Sequence, residues 1–129
     1  MDEVLPGARE YLEYLREQGV RTALCSASAN APLILERLGL GSLLDVVVDA
    51  RKITRAKPDP EVFTVACQTL DFLPEECIVF EDAPAGVEAA LAGGMYCVGI
   101  GNPQILSRAH LVIPGLYAAQ EAVKEEVFP

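Results

Sequence analysis

Tryptophan is absent, and histidine occurs once, at His110, within the apolar stretch His110-Leu111-Val112-Ile113. A single imidazole among strand-forming residues gives a Ser-His-Asp or Cys-His mechanism little to stand on, so His110 reads as structural or surface. Cysteine is sparse and unpaired in spacing: Cys25, Cys67, Cys77 and Cys97 contain no C-x-x-C. Three of them lie in strand-like runs and Cys67 on the apolar face of a helix, which fits buried reduced thiols in a cytoplasmic protein. Basic residues are few, ten against 19 acidic, for a net charge of −9. That field disfavours nucleic acid or an anionic membrane as a partner, and an anionic substrate would need a local positive centre or a metal. No apolar run approaches the roughly 20 residues of a membrane span. The acidic opening Met1-Asp2-Glu3 does not resemble a secretory signal.

What the chain does have is apolar content. Hydrophobic residues make up 51% of 129 positions, with a mean hydropathy of +0.27, enough for one real core. Without repeats, low-complexity tracts or linkers, residues 1–129 read as one domain. Two kinds of segment alternate. Pro6 opens a helix with Ala8, Tyr11, Leu12 and Leu15 at helical spacing, stopped by Gly19. A strand follows over Val20 to Cys25, then a helix from Asn30 or Pro32 to Gly39, and a short strand at Val46-Val47-Val48. Pro60 to Leu70 reads as helix, Cys77 to Phe80 as strand, and Ala85 to Ala92 as helix. Tyr96 to Ile100 and Leu111 to Ile113 are strands, and Tyr117 to Val127 a closing helix. This alternation predicts an α/β fold, a parallel sheet between helical layers with right-handed crossovers.

Three segments carry candidate chemistry, each at the C-terminal end of a strand. Ser26-Ala27-Ser28-Ala29-Asn30 offers hydroxyls and free amides at a helix start, suited to an anion. The plainer role is helix capping by Ser28 or Asn30. Ala56-Lys57-Pro58-Asp59-Pro60-Glu61 holds a lysine between restricted residues, able to neutralise a phosphate. An ordinary surface lysine is the alternative, although Arg51, Lys52 and Arg55 make the stretch locally basic. The apolar run Ile78-Val79-Phe80 ends in Glu81-Asp82 and the turn Ala83-Pro84-Ala85-Gly86. Oxygen ligands there suit a hard cation shared with a substrate phosphate, or simply form a solvated acidic turn. In a parallel sheet these strand ends share one edge, so all three groups can reach one crevice.

The order Ser26, then Lys57-Pro58, then Glu81-Asp82 resembles motifs II, III and IV of the haloacid dehalogenase superfamily. The words Cys25-Ser26-Ala27-Ser28-Ala29-Asn30, Ala56-Lys57-Pro58-Asp59-Pro60 and Phe80-Glu81-Asp82-Ala83-Pro84-Ala85-Gly86-Val87 are most similar to its β-phosphoglucomutase branch. The likeness runs from Val4-Leu5-Pro6-Gly7 to about Pro114. It implies a Rossmann-like, three-layer core and Mg²⁺-dependent phosphoryl transfer on a sugar phosphate. Ser26, helped by the Ala27 amide, would hold the transferring phosphoryl group, and Lys57 would balance its charge. Asp82 would ligate Mg²⁺ with support from Glu81, and Ser28 and Asn30 would touch a second phosphate.

The departures matter more. No Asp-x-Asp occurs in the 129 residues, so the family's nucleophile and acid/base are both absent, as is its helical cap. Ala29 stands where the branch has lysine, which weakens the second-phosphate site. A metal site without the nucleophile carboxylate is expected to bind Mg²⁺ poorly. The family's first strand lies at the centre of its sheet, between those ending at Ser26 and Asp82. Without it, two half-sheets with unpaired edges are expected. Those strands could pair directly, a second copy could fill the gap, or another polypeptide could supply strand and cap. The expectation is a truncated core, inactive alone and completed by an N-terminal segment or by a homo-oligomer. The alternative is a non-catalytic phosphate-binding or interaction domain. An unrelated receiver- or flavodoxin-type domain fits the ordered motifs least.

Overall fold

The structure, a computed structural model, describes residues 7–28 and 30–126. Pro6, Ala29 and Val127, named above, lie outside the described residues. Among the described residues five helices and five strands alternate as far as β4: α1 Ala8–Glu17, β1 Ala23–Cys25, α2 Ala31–Leu38, β2 Val46–Val48, α3 Glu61–Leu70, β3 Ile78–Glu81, α4 Pro84–Ala92, β4 Tyr96–Ile100, β5 Leu111–Ile113 and α5 Ala119–Glu126. Val46-Val48, Tyr96–Ile100 and Leu111–Ile113 coincide with expectation, because continuous β-branched or apolar runs mark buried parallel strands.

Two expectations need correction. The first strand begins at Ala23, three residues late. Val20 closes the turn after α1 by donating to the Leu15 carbonyl at 2.9 Å, and the Thr22 amide donates to the Asp45 carboxylate at 2.8 Å. The closing helix begins at Ala119, preceded by a 3₁₀ turn over Leu116–Ala118.

All strand pairs are parallel, but they form two sheets rather than one. β1 pairs with β2 in the register Ala23–Val46, Leu24–Val47 and Cys25–Val48. β3 pairs with β4, and β4 with β5. β1 and β3 do not pair with each other, so direct closure of the gap does not occur.

Side-chain alternation along the strands assigns the layers. Ala23, Cys25, Val46, Val48, Val79, Cys97 and Val112 join one core with Val62, Phe63, Ala66 and Cys67 of α3 and Val87, Ala89 and Ala90 of α4. That core is continuous beneath both sheets, so α3 and α4 hold together halves that share no backbone pairing among the described residues. On the opposite face Ile78, Phe80, Tyr96, Val98, Ile100 and Ile113 meet Tyr11 of α1 and Ala119 and Val123 of α5. Tyr11 sets its ring edge-on to Phe80 at 5.5 Å. Gly7, at φ 87, lets α1 start against the C-terminal turn. A Cβ there would lie 2.5 Å from the Tyr117 amide nitrogen.

His110 is structural. Its Nδ1 accepts from the Cys97 amide at 2.9 Å and its ring stacks on Tyr96 at 4.6 Å. All four cysteines are free thiols, Cys67 and Cys97 buried, Cys25 and Cys77 half-buried.

Candidate active site

The strand ends bring most of the expected residues to one edge. Ser26 follows β1 directly, and its amide extends the ladder to the Val48 carbonyl at 2.9 Å. Its hydroxyl oxygen accepts from the Ser28 amide at 3.1 Å, and the Ser28 hydroxyl accepts from the Asn30 amide at 3.1 Å. Each serine thus uses a lone pair to fold the loop and keeps its O–H proton for another acceptor. The Ala27 amide makes no hydrogen bond among the described residues. Asn30 stands at the N-cap of α2 without a side-chain cap, so the capping role is carried by neither its amide group nor the Ser28 hydroxyl.

Lys57 and Glu81 meet directly: Nζ lies 2.8 Å from Oε2, at 22% and 10% side-chain exposure. The Lys57 ammonium also sits 5.0 Å above the Phe63 ring of α3. Glu81 Oε1 accepts from the amides of Asp82 at 3.1 Å and Ala83 at 3.3 Å. The Glu81 carboxylate is therefore committed on both oxygens. Gly86 permits this, because a Cβ at that position would lie 2.0 Å from Glu81 Cδ. The Cys25 thiol, one residue before Ser26, is pushed up to about 12 by burial, partly offset by the Lys57 charge and reinforced by that of Glu81. Cys25 thus lies within electrostatic reach of the Lys57–Glu81 pair, and Ser26 follows it in the chain. Asp82 projects to solvent, with no side-chain partner among the described residues.

The locally basic stretch disperses among separate partners. Arg51 turns back on Asp49, Nη2 to Oδ2 at 2.8 Å and Nε to Oδ1 at 3.2 Å. Lys52 donates to the Val47 carbonyl at 2.5 Å, and Arg55 pairs loosely with Asp59 at 3.8 Å. Lys57 alone of the four reaches the end of β3.

Three supporting residues escaped the sequence reading. Asp49 follows β2 and is fully buried, and the Arg51 side-chain and backbone hydrogen bonds hold its carboxyl below the usual carboxylate range. Glu61 accepts from the Thr54 amide at 2.9 Å, the Thr54 hydroxyl at 3.0 Å and the Arg55 amide at 2.8 Å, fixing the loop that leads to Lys57. Phe63 lies on the buried face of α3, and nothing in its spacing ties it to Lys57. A carboxylate directly after a strand, as at Asp49, was a legible signal; the other two depend on tertiary contact.

The donors present do not by themselves form a Mg²⁺ site. Glu81 is occupied by an ammonium and two amides, leaving Asp82 as one disengaged carboxylate. No cluster of three metal-capable His, Cys, Asp or Glu side chains occurs among the described residues. Mg²⁺ demands near-octahedral oxygen ligation and gives up water reluctantly.

Parallel strands with helices on both faces define a Rossmann-like α/β fold. The family model of the haloacid dehalogenase-like hydrolases matches residues 1–94. The chain belongs to that family, in its β-phosphoglucomutase-like branch. It is 38% identical over 112 residues to a β-phosphoglucomutase of Bacillus subtilis, spanning 87% of this chain and 50% of that protein. The crystal structure of a β-phosphoglucomutase from Clostridium difficile superposes with a TM-score of 0.89 at 33% identity, over 99% of this chain and 60% of that one. A haloacid dehalogenase family hydrolase from Deinococcus radiodurans, crystallised with bound phosphate and sodium, gives 0.86 at 34% identity, over 93% and 58%. The chain thus spans about half to three-fifths of the length of these relatives. No helix among the described residues is long and apolar enough to cross a membrane.

Proposed function

We propose that this chain is the phosphate-holding part of a sugar-phosphate phosphatase or phosphomutase core that works by Mg²⁺-dependent phosphoryl transfer. Ser26 and the Ala27 amide hold the transferring phosphoryl group, and Lys57 offsets its charge. Ser28 and Asn30 face a second phosphate. Asp82 is the metal-ligating carboxylate of this chain, and Glu81 holds Lys57 in place and supports that site. The nucleophilic carboxylate, and with it a usable metal site, lies on a strand outside these 129 residues, so the isolated chain does not turn over.

One observation carries this reading. The segments that would handle phosphate follow strands of two sheets that do not pair with each other among the described residues, which leaves an interval where an added strand could end. A complementing segment or a second copy of the chain fits that interval. The names of the relatives support the substrate class. A second reading, a non-catalytic phosphate-binding or interaction domain, draws on the neutralisation of Lys57 by Glu81.

The test is phosphate release from β-glucose 1-phosphate with Mg²⁺, measured for the chain alone and with the N-terminal half of a β-phosphoglucomutase added. Release only in the mixture, lost with Lys57→Ala, is expected. Turnover by the chain alone would overturn the inactive reading. A mixture that associates but releases nothing would leave the non-catalytic reading standing.

A further inference from the structure

Away from the strand-end site, at the opposite edge of β3, two thiols face each other. Cys67 lies on the buried side of α3, 4% exposed, one turn before the helix closes at Leu70. Asp71, at φ 64, reverses the chain, and the Phe72 amide donates back to the Cys67 carbonyl at 3.0 Å. The Glu76 carboxylate accepts from the Leu73 amide at 2.9 Å, and the Cys77 amide donates to the Pro74 carbonyl at 3.0 Å. This wound return sets the Cys67 and Cys77 sulfurs 2.9 Å apart in a thiol–thiol hydrogen bond. Met95 Sδ closes the far side of Cys67 at 3.9 Å. Cys77 is half-buried and reaches the Leu73 carbonyl at 3.4 Å, so the pair has an accessible member and a shielded one. Cys25 points elsewhere, towards the Val62 carbonyl.

We propose that Cys67 and Cys77 form a reversible dithiol–disulfide site, oxidised by a low-molecular-weight disulfide of the glutathione type. The Cys77 thiolate attacks one sulfur of the oxidant, breaking its S–S bond and releasing one thiol. Cys67 then gives up its proton and attacks the Cys77 sulfur of the mixed disulfide. The Cys67–Cys77 bond forms and a second thiol leaves. Two electrons pass from the protein to the oxidant, and the two protein protons end on the released thiols.

The bond has a structural consequence particular to this chain. α3 packs under β1 and β2, while Cys77 leads directly into β3. Joining them ties one half-sheet to the other covalently, at the edge away from Lys57 and Glu81. The enclosed loop is short, already ordered by its own hydrogen bonds, and holds the two sulfurs in contact before any bond forms.

The test incubates the 129-residue chain with oxidised glutathione, then counts free thiols and maps peptides after cleavage at glutamate. Glu75 and Glu76 separate the two cysteines, so a bond joins peptides that otherwise fall apart. The expected result is a fall from four free thiols to two, a Cys67–Cys77 cross-link, and a melting temperature higher by about 5 °C. Dithiothreitol should reverse all three, and Cys77→Ser should keep its three thiols. Four unchanged thiols, a stable glutathione adduct at Cys77, or cross-links through Cys25 or Cys97 would each overturn the proposal.

Discussion

Lys57 and Glu81 form an ion pair at 2.8 Å that joins the segment after β2 to the end of β3, between two sheets that share no backbone pairing among the described residues. Both side chains are mostly shielded, and Glu81 is also held by two amides. Removing one partner leaves the other charge half-buried and unpaired. Lys57→Met is expected to destabilise the fold by about 1–3 kcal/mol in urea unfolding. The double variant with Glu81→Gln should recover part of that loss, and strictly additive losses would show the pair to be uncoupled.

Gly86→Ala tests the close approach behind that pair. The new methyl group would overlap the Glu81 carboxylate, at 2.0 Å from Cδ. The expected loss is about 1–3 kcal/mol. Glu81→Ala in the same background should suppress most of it, because the obstructing atoms are gone. An equal loss in both backgrounds would place the strain in α4 instead.

Acid sensitivity follows from Asp49 and Asp45. The Arg51 hydrogen bonds lower the Asp49 carboxyl, and the Thr22 amide lowers that of Asp45. A carboxyl depressed by folding adds stability above its unfolded value, near 4, and that stability is lost as pH falls through the folded value. Urea midpoints should therefore be flat from pH 7 to about 5 and drop below about 4. Asp49→Asn should flatten the drop; an unchanged slope would remove Asp49 from the account.

Glu61 anchors the loop before Lys57 through three hydrogen bonds. Glu61→Ala should raise amide exchange at Thr54 and Arg55 by at least about tenfold, while α3 amides keep their protection. Uniform loss of protection would indicate global destabilisation rather than a freed loop.

Much of this fold is legible in local residue patterns. Val46-Val47-Val48 and Tyr96–Ile100 are continuous apolar runs, a pattern that burial on both faces imposes without help from distant contacts. Proline at the start and glycine after the end bracket α2 and α4 for similarly local reasons. Placing Ser26 and Glu81-Asp82 at strand ends follows from that alternation, since parallel strands share one C-terminal edge, whereas Lys57 lies in the loop well after β2 and reaches that edge only through Glu81.

Partnership was beyond such patterns. Arg51, Lys52, Arg55 and Lys57 look alike as a basic stretch, yet three are drawn into Asp49, the Val47 carbonyl and Asp59, leaving Lys57 to reach Glu81. Val20 and Arg21 carry strand-like neighbours, but the turn after α1 and the pull of Asp45 on Thr22 take them out of β1. Sequence alone determined the alternating elements and the edge on which the chemistry gathers, because periodicity and chain direction are local properties. The tertiary structure decided which charge finds which partner, that Cys67 meets Cys77, and that the described strands form two sheets, because each depends on atoms distant along the chain competing for one place.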